Sequence, residues 1–276
     1  MVKGKFDSKV ESFAQLTADN RLKIWDVATA SASADYTPEG KLASELTALA
    51  WGLGATPSSG SKKKKSKRAA EVVAVGTVRG DVLLWDCARN EVQATLGGEG
   101  TEQTSRVNDL AFSASGSELF VCTSDGAVTC WHVASGVVSW RLQTGKQPAH
   151  RLTAHAGGDL LVTGATTIKV WDLATRASSR KLTGHASAVT GLCFSADGSL
   201  LFSSSADRFI NVWDFAPDAA STAALRVFTL DAVPTHLAVA PAPEEEEGEA
   251  AVRLLAVSEA GGVGVWQFKS PSPKQR

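Results

Sequence analysis

An all-β chain assembled from repeated four-stranded sheets is what these 276 residues encode, and three observations carry that expectation. Six tryptophans, Trp25, Trp85, Trp131, Trp171, Trp213 and Trp266, each close a β-branched or apolar run, and four of them are followed directly by Asp (Asp26, Asp86, Asp172, Asp214). The intervals between them are 60, 46, 40, 42 and 53 residues, against the roughly 40 to 45 residues of a four-stranded propeller blade that closes on Trp-Asp. Short alternating runs between the tryptophans are separated by Gly, Asp, Asn and Ser, as half-buried strands joined by tight turns are. The repeat is uniform, which favours one domain: a β-propeller over residues 1–269 followed by a disordered tail at 270–276.

In chain order, Met1 to Phe6 reads as the inner strand of the first unit and a second strand begins near Glu11. Outer strands follow the next tryptophans at Asn90 to Leu96, Gly136 to Leu142 and Arg176 to Leu182. The fifth unit, Leu182 to Phe215, shows the plan most cleanly. Val189 to Phe194 is its inner strand, Ala196-Asp197-Gly198 a turn, Leu200 to Ser205 the second strand, Ala206-Asp207-Arg208 another turn, Phe209 to Trp213 the third strand and Leu225 to Leu230 the outer one. After Trp266 only QFKSPSPKQR remains, whose prolines make poor strand material. With no outer strand there and no N-terminal surplus to supply one, the pattern predicts six recognisable blades of an incomplete seven-blade ring, truncated or completed by another chain.

The fifth unit resembles the WD-repeat family, with Gly184-His185 before its inner strand and Asp207 six residues before Trp213. That resemblance implies a buried hydrogen-bonded tetrad of His185, a strand hydroxyl (Ser203 or Ser205), Asp207 and Trp213. Such a network satisfies each buried polar group and fixes one strand register. The roles it implies are structural, not catalytic or metal-binding. Asp19 and Asp125 keep the same six-residue spacing to Trp25 and Trp131 without a Gly-His, whereas Arg79, Ala165 and Ala260 occupy the Asp position elsewhere. One unit alone carries every member, so the other blades are expected to rest mainly on apolar packing.

Bulk properties narrow the function. A formal net charge of −1 gives no overall electrostatic case for nucleic acid or an acidic membrane surface. The N-terminus lacks a signal-peptide apolar core, and no stretch approaches the roughly 18 apolar residues of a membrane span. Cys87, Cys122, Cys130 and Cys193 lie in strand-like runs with no CxxC spacing, which fits a reducing, cytosolic or nuclear compartment. No Walker A run, G-x-S-x-G elbow, H-E-x-x-H pair or Cys-His cluster is present, and the five histidines are scattered over different units. The chain therefore reads as a non-enzyme with no catalytic residue, no metal site, no cofactor and no small-molecule substrate.

Two insertions decorate the blades, each between the first and second strands of its unit. The second unit is stretched by Gly52 to Ala70, its basic loop occupying 54–70, with Lys62, Lys63, Lys64, Lys65, Lys67 and Arg68 placing six positive charges in seven residues. Such a run is a solvated disordered loop, a nuclear-localisation signal or a contact for RNA phosphates. Without interleaved aromatics it is not a base-stacking surface. The sixth unit carries the opposite run at 242–250, with Glu244 to Glu247 and Glu249. That loop reads as solubilising, or as a contact for a basic partner segment.

The order of these departures carries a second resemblance. A lysine-rich insertion after TALAWG is followed by EVVAVGTVRGDVLLWD, by RVNDLAFSASGSELFVCTSDGAVTCWHV, and then by the shortened fourth unit GATTIKVWDLATRASSRKLTGHASAVTGLCFS. Over about residues 10–268 this is similar to the nucleolar WD-repeat subunit family of the small-subunit processome, of the UtpA subcomplex type. The resemblance implies a scaffold in the nucleus and nucleolus that assembles with other processome scaffold proteins on pre-rRNA and supports rRNA transcription and processing. It places pre-rRNA or a localisation receptor at Lys62 to Arg68. It also implies a further blade and a helical C-terminal assembly domain, neither of which reads within these residues. The competing expectation is a cytoplasmic signalling or ubiquitin-ligase adaptor propeller that binds peptides and needs no basic loop.

Overall fold

A computed structural model describes residues 3–6, 11–38, 44–53, 71–97, 105–215, 221–241 and 251–269. Every regular element among them is a strand, and all strand pairs are antiparallel neighbours in sequence. The six all-β propeller blades expected from the tryptophan repeat are present, three in each of two compact units, Met1–Ala149 and His150–Arg276.

In the first unit, blade one consists of β1 (Lys3–Phe6), β2 (Ser12–Leu16), β3 (Leu22–Asp26) and β4 (Ser31–Tyr36). Its β1 pairs with β2 in the register Lys3 to Leu16 and Phe6 to Phe13. Blade two is β5 (Leu46–Leu53), β6 (Glu71–Thr77), β7 (Val82–Asp86) and β8 (Glu91–Leu96), and blade three is β9 (Val107–Phe112), β10 (Glu118–Thr123), β11 (Ala127–His132) and β12 (Val137–Gln143). In the second unit, blade four is β13 (Arg151–Ala154), β14 (Leu160–Gly164), β15 (Ile168–Asp172) and β16 (Ser178–Leu182). Blade five is β17 (Val189–Phe194), β18 (Leu200–Ser205), β19 (Phe209–Asp214) and β20 (Arg226–Thr229). The described part of blade six is β21 (Pro234–Pro241), β22 (Ala251–Ser258) and β23 (Val263–Lys269).

The recurrence of Trp-Asp has a local cause. In four blades the ladder between third and fourth strands slips by one residue at the Trp, beside Trp25, Trp85, Trp131 and Trp171. Such a bulge bends the strand into the turn that follows. The next residue caps that turn: Asp26 Oδ1 accepts the Thr29 amide and hydroxyl at 2.8 Å each, and Asp172 Oδ1 accepts those of Thr175 at 2.7 and 2.9 Å. The amide bonds hold both carboxyls below their ordinary pKa. Asp86 Oδ1 likewise caps its turn, accepting the amides of Ala88 and Arg89. In blade three His132 substitutes, its Nδ1 lying 3.0 Å from the Ser135 hydroxyl. Five residues past each of these tryptophans the backbone enters the left-handed region, at Ala30 (φ 51°), Asn90 (59°), Gly136 (66°) and Arg176 (59°).

One packing rule repeats inside both units. The residues three and one before a Trp point toward the following blade and meet that blade's own Trp. Leu22 and Ile24 cluster with Trp85, Val82 and Leu84 with Trp131, Ile168 and Val170 with Trp213, and Ile210 and Val212 with Trp266. None of these eight aliphatic side chains is more than 4% exposed, and burying each contributes about 1.5–3 kcal/mol. Glycine permits close approaches between neighbouring blades. A Cβ on Gly76 would stand 2.4 Å from Val107, and one on Gly164 would stand 2.7 Å from Val189.

Candidate functional site

Blade five gathers its polar residues into one buried chain. β18 and β19 pair so that Ser203 lies opposite Asn211, which places Trp213 two residues along on the same face. The Trp213 indole N–H donates to the Ser203 hydroxyl at 2.8 Å. His185 bridges the two turns, with Nε2 2.7 Å from Ser203 Oγ and Nδ1 3.1 Å from Asp207 Oδ2. The carboxylate can only accept, so Nδ1 carries the proton and Nε2 accepts from the serine. Asp207 also accepts the amides of Ala186 and Phe209, at 2.8 and 2.9 Å. Ser205 turns to its own loop, its oxygen accepting the Asp207 amide at 3.2 Å.

The electrostatics follow from burial. Removal from water lowers the His185 pKa below its ordinary 6.5, outweighing the Asp207 carboxylate that acts to raise it. Burial acts to raise Asp207, but the amides of Phe209 and Ala186, together with His185, hold it below the ordinary carboxylate value. The imidazole is therefore neutral and the carboxylate charged at physiological pH. Ser203, His185 and Asp207 are connected in the order of a hydrolytic triad, yet Ser203 is 0% exposed and its oxygen is engaged by both Trp213 and His185. No substrate carbonyl can reach it. This geometry braces a strand pair and does not attack an acyl group.

The other blades answer the same indole demand differently. The acceptor sits ten residues before the Trp, or eight where the fourth blade's hairpin is shorter. It is Gln15 for Trp25 at 3.2 Å and Thr163 for Trp171 at 2.8 Å. At that position blades two and three carry Val75 and Val121, and the indole nitrogens of Trp85 and Trp131 are buried without a hydrogen-bond partner. Gln15 and Thr163 were not anticipated from sequence, although the fixed offset from the Trp is the signal that finds them. In blade three Asp125 accepts from Thr123 Oγ1 at 2.5 Å and from Arg141 at 2.6 Å. Burial acts to raise its pKa and these partners, with the Ala127 amide, bring it below the ordinary value. Arg141, from the outer strand, thus pairs with the carboxylate at the position that blade five pairs with a histidine.

The basic residues Lys62, Lys63, Lys64, Lys65, Lys67 and Arg68, and the acidic residues Glu244 to Glu247 and Glu249, lie outside the described residues. Among the described residues no group of three or more His, Cys, Asp and Glu side chains is arranged to hold a metal ion. His155, which its place in a turn suggests is exposed, is instead half-buried on the edge of Phe194, with Nδ1 3.0 Å from Asp159 and Nε2 3.3 Å from the Gly198 carbonyl. It clasps the turns of blades four and five.

Residues 176–214, which contain the whole His185–Ser203–Asp207–Trp213 chain, match the WD domain, G-beta repeat model. The chain carries WD repeats. Residues 68–154 match the WD40 domain of anaphase-promoting complex subunit 4. Among WD-repeat relatives, human (Homo sapiens) WD repeat-containing protein 43 is 28% identical over 277 residues, covering 92% of this chain and 40% of the relative. Bos taurus transducin beta-like protein 3 is 32% identical over 60% of this chain and 21% of its own length. The Arabidopsis thaliana U3 snoRNP-associated protein-like EMB2271 is 28% identical over 39% of this chain and 27% of its own. The chain thus spans less than half the length of each of these relatives.

Proposed function

We propose that this WD-repeat chain is a non-enzymatic scaffold of ribosome biogenesis, acting in the nucleolus, that assembles with small-subunit processome proteins on pre-rRNA. The observation that carries this reading is the likeness to human WD repeat-containing protein 43 along 92% of the chain. It is joined by a relative whose name associates it with the U3 snoRNP. The buried tetrad supports the non-enzymatic part, because its one serine–histidine pair is sealed from solvent.

In this reading the blades are the rigid support and the basic run is the contact. Lys62, Lys63, Lys64, Lys65, Lys67 and Arg68 would hold phosphates, or carry the localisation signal, without reading bases. Affinity purification with RNA crosslinking from cells expressing tagged wild type tests partners and RNA together. Processome proteins and crosslinked pre-rRNA are the expected yield, and nucleolar enrichment is lost when Lys62 to Lys65 become Ala. Recovery of neither class of partner rejects the proposal.

A second reading, a ubiquitin-ligase adaptor, is favoured by the match of residues 68–154 to the anaphase-promoting complex subunit 4 WD40 domain. It predicts a cytoplasmic signal indifferent to the lysine substitutions.

A further inference from the structure

The turn that joins the first two strands of blade three repeats that of blade five, with one exchange. Phe112-Ser113-Ala114-Ser115-Gly116-Ser117 aligns with Phe194-Ser195-Ala196-Asp197-Gly198-Ser199. The backbones agree. Gly116 and Gly198 take φ of 71° and 73°, and each glycine amide donates to the carbonyl three residues back at 2.9 Å. The Ser113 and Ser195 amides donate to the carbonyls of Glu118 and Leu200, again at 2.9 Å. What differs is the charge at the centre. In blade five Asp197 accepts the Ser195 hydroxyl at 2.5 Å, the Ser199 hydroxyl at 2.7 Å and the Ser199 amide at 3.1 Å. In blade three the exposed Ser115 hydroxyl faces the same three groups, the Ser113 hydroxyl at 3.2 Å, the Ser117 hydroxyl at 2.7 Å and the Ser117 amide at 3.3 Å. One neutral oxygen thus stands where blade five has a two-oxygen anion.

We infer that Ser115 is a phosphorylation site and that its phosphate supplies the anionic acceptor that Asp197 supplies in blade five. A phosphoserine carries close to two negative charges and three acceptor oxygens, here set among two hydroxyls and an amide that already surround Ser115 Oγ. The neighbouring sequence indicates the enzyme class. Glu118 lies three residues beyond Ser115, and among the described residues no other exposed serine or threonine has a carboxylate at that spacing. Ser204, with Asp207 three residues on, is 0% exposed. The donor is therefore ATP, delivered by a protein kinase that selects acidic substrates through a basic pocket. Ser115 Oγ bonds to the γ-phosphorus as the bond from that phosphorus to the β,γ-bridging oxygen breaks. ADP leaves, and the hydroxyl proton passes to the catalytic aspartate of the kinase. This inference does not rest on the processome reading.

Treatment of the full chain with casein kinase 2, an acidophilic enzyme, and Mg·ATP tests it, with tandem mass spectrometry to locate the phosphate. Phosphate is expected on Ser115, with Ser113 and Ser117 of the same turn unmodified. Glu118→Gln removes the charge and keeps the shape, so it should slow labelling of Ser115 by about tenfold or more. Ser115→Asp places the blade-five residue in the blade-three turn. That variant and the phosphorylated chain should both shift the urea midpoint upward, whereas Ser115→Ala, which gives up the hydroxyl, should shift it downward. All of these changes lie at an exposed turn, so far-UV circular dichroism should match wild type throughout. Absence of phosphate on Ser115, labelling indifferent to Glu118→Gln, or a midpoint that does not rise in Ser115→Asp and in the phosphorylated chain would each overturn the inference.

Discussion

Replacing Ser203 by Ala removes one hydroxyl from the centre of blade five and is the sharpest probe of the tetrad. That oxygen accepts from Trp213 at 2.8 Å and faces His185 Nε2 at 2.7 Å, so its loss leaves a buried donor and a buried acceptor unpaired. Each orphan costs about 1–3 kcal/mol, giving about 2–6 kcal/mol for the substitution. The volume change is a single oxygen, so no cavity term competes with this. Trp85 and Trp131 already bury unpartnered indole nitrogens, so the fold tolerates one such defect per blade and Ser203→Ala should remain folded. Urea denaturation measures the cost, and a double-mutant cycle with Trp213→Phe isolates its cause. With the indole N–H gone, Ser203→Ala should cost about 1–3 kcal/mol less. A single-mutant cost below about 0.5 kcal/mol, or equal costs in the Trp and Phe backgrounds, would refute the argument.

Three further outcomes follow from the same geometry. Val121→Thr keeps the branched shape and offers Trp131 the hydroxyl that Thr163 gives Trp171, so it should gain about 0.5–1 kcal/mol in urea denaturation; a loss would show that Trp131 Nε1 does not point at that site. The His185 pKa is lowered in the folded chain, so between 6.5 and its folded value the unfolded chain binds the extra proton. Stability is therefore full above 6.5 and falls as pH drops below it, and His185→Gln should flatten that slope between pH 8 and 5; identical slopes would show that another group titrates. Ala30 holds a left-handed backbone at φ 51°, where Gly is unstrained, so Ala30→Gly should stabilise by about 0.5–1 kcal/mol in thermal melts, and a destabilised variant would show that unfolded-chain entropy wins.

Much of this architecture is written in the chain because its determinants are local. A β-bulge at a Trp, a polar side chain that caps the next turn and a left-handed residue five positions on form a set contained within a few residues, so the repeat betrays the first four blades. Glycine marks the close approaches at Gly76 and Gly164 for the same reason. The likeness of the fifth unit to a WD repeat follows from His185, Asp207 and Trp213 standing at fixed offsets. Where side chains far apart in sequence decide the outcome, the sequence alone was mute. Ser203 and Ser205 share a strand face, and only the pairing with β19 sets the first beneath Trp213 and leaves the second to its own turn. Arg141 reaches Asp125 because β12 folds back along β11.

By itself the sequence determined the all-β class and the six blades, since alternation, turn residues and the tryptophan period are short-range properties. It also displayed the basic run at Lys62 to Arg68, which is a matter of charge and not of shape. Tertiary structure decided which buried indoles are satisfied, that the Ser203–His185–Asp207 chain is closed to substrate, and which apolar residues stay exposed. Val263 and Val265 look like their counterparts in every other blade when read along the chain. What separates them is exposure to solvent, which depends on the packing of neighbours and not on local sequence.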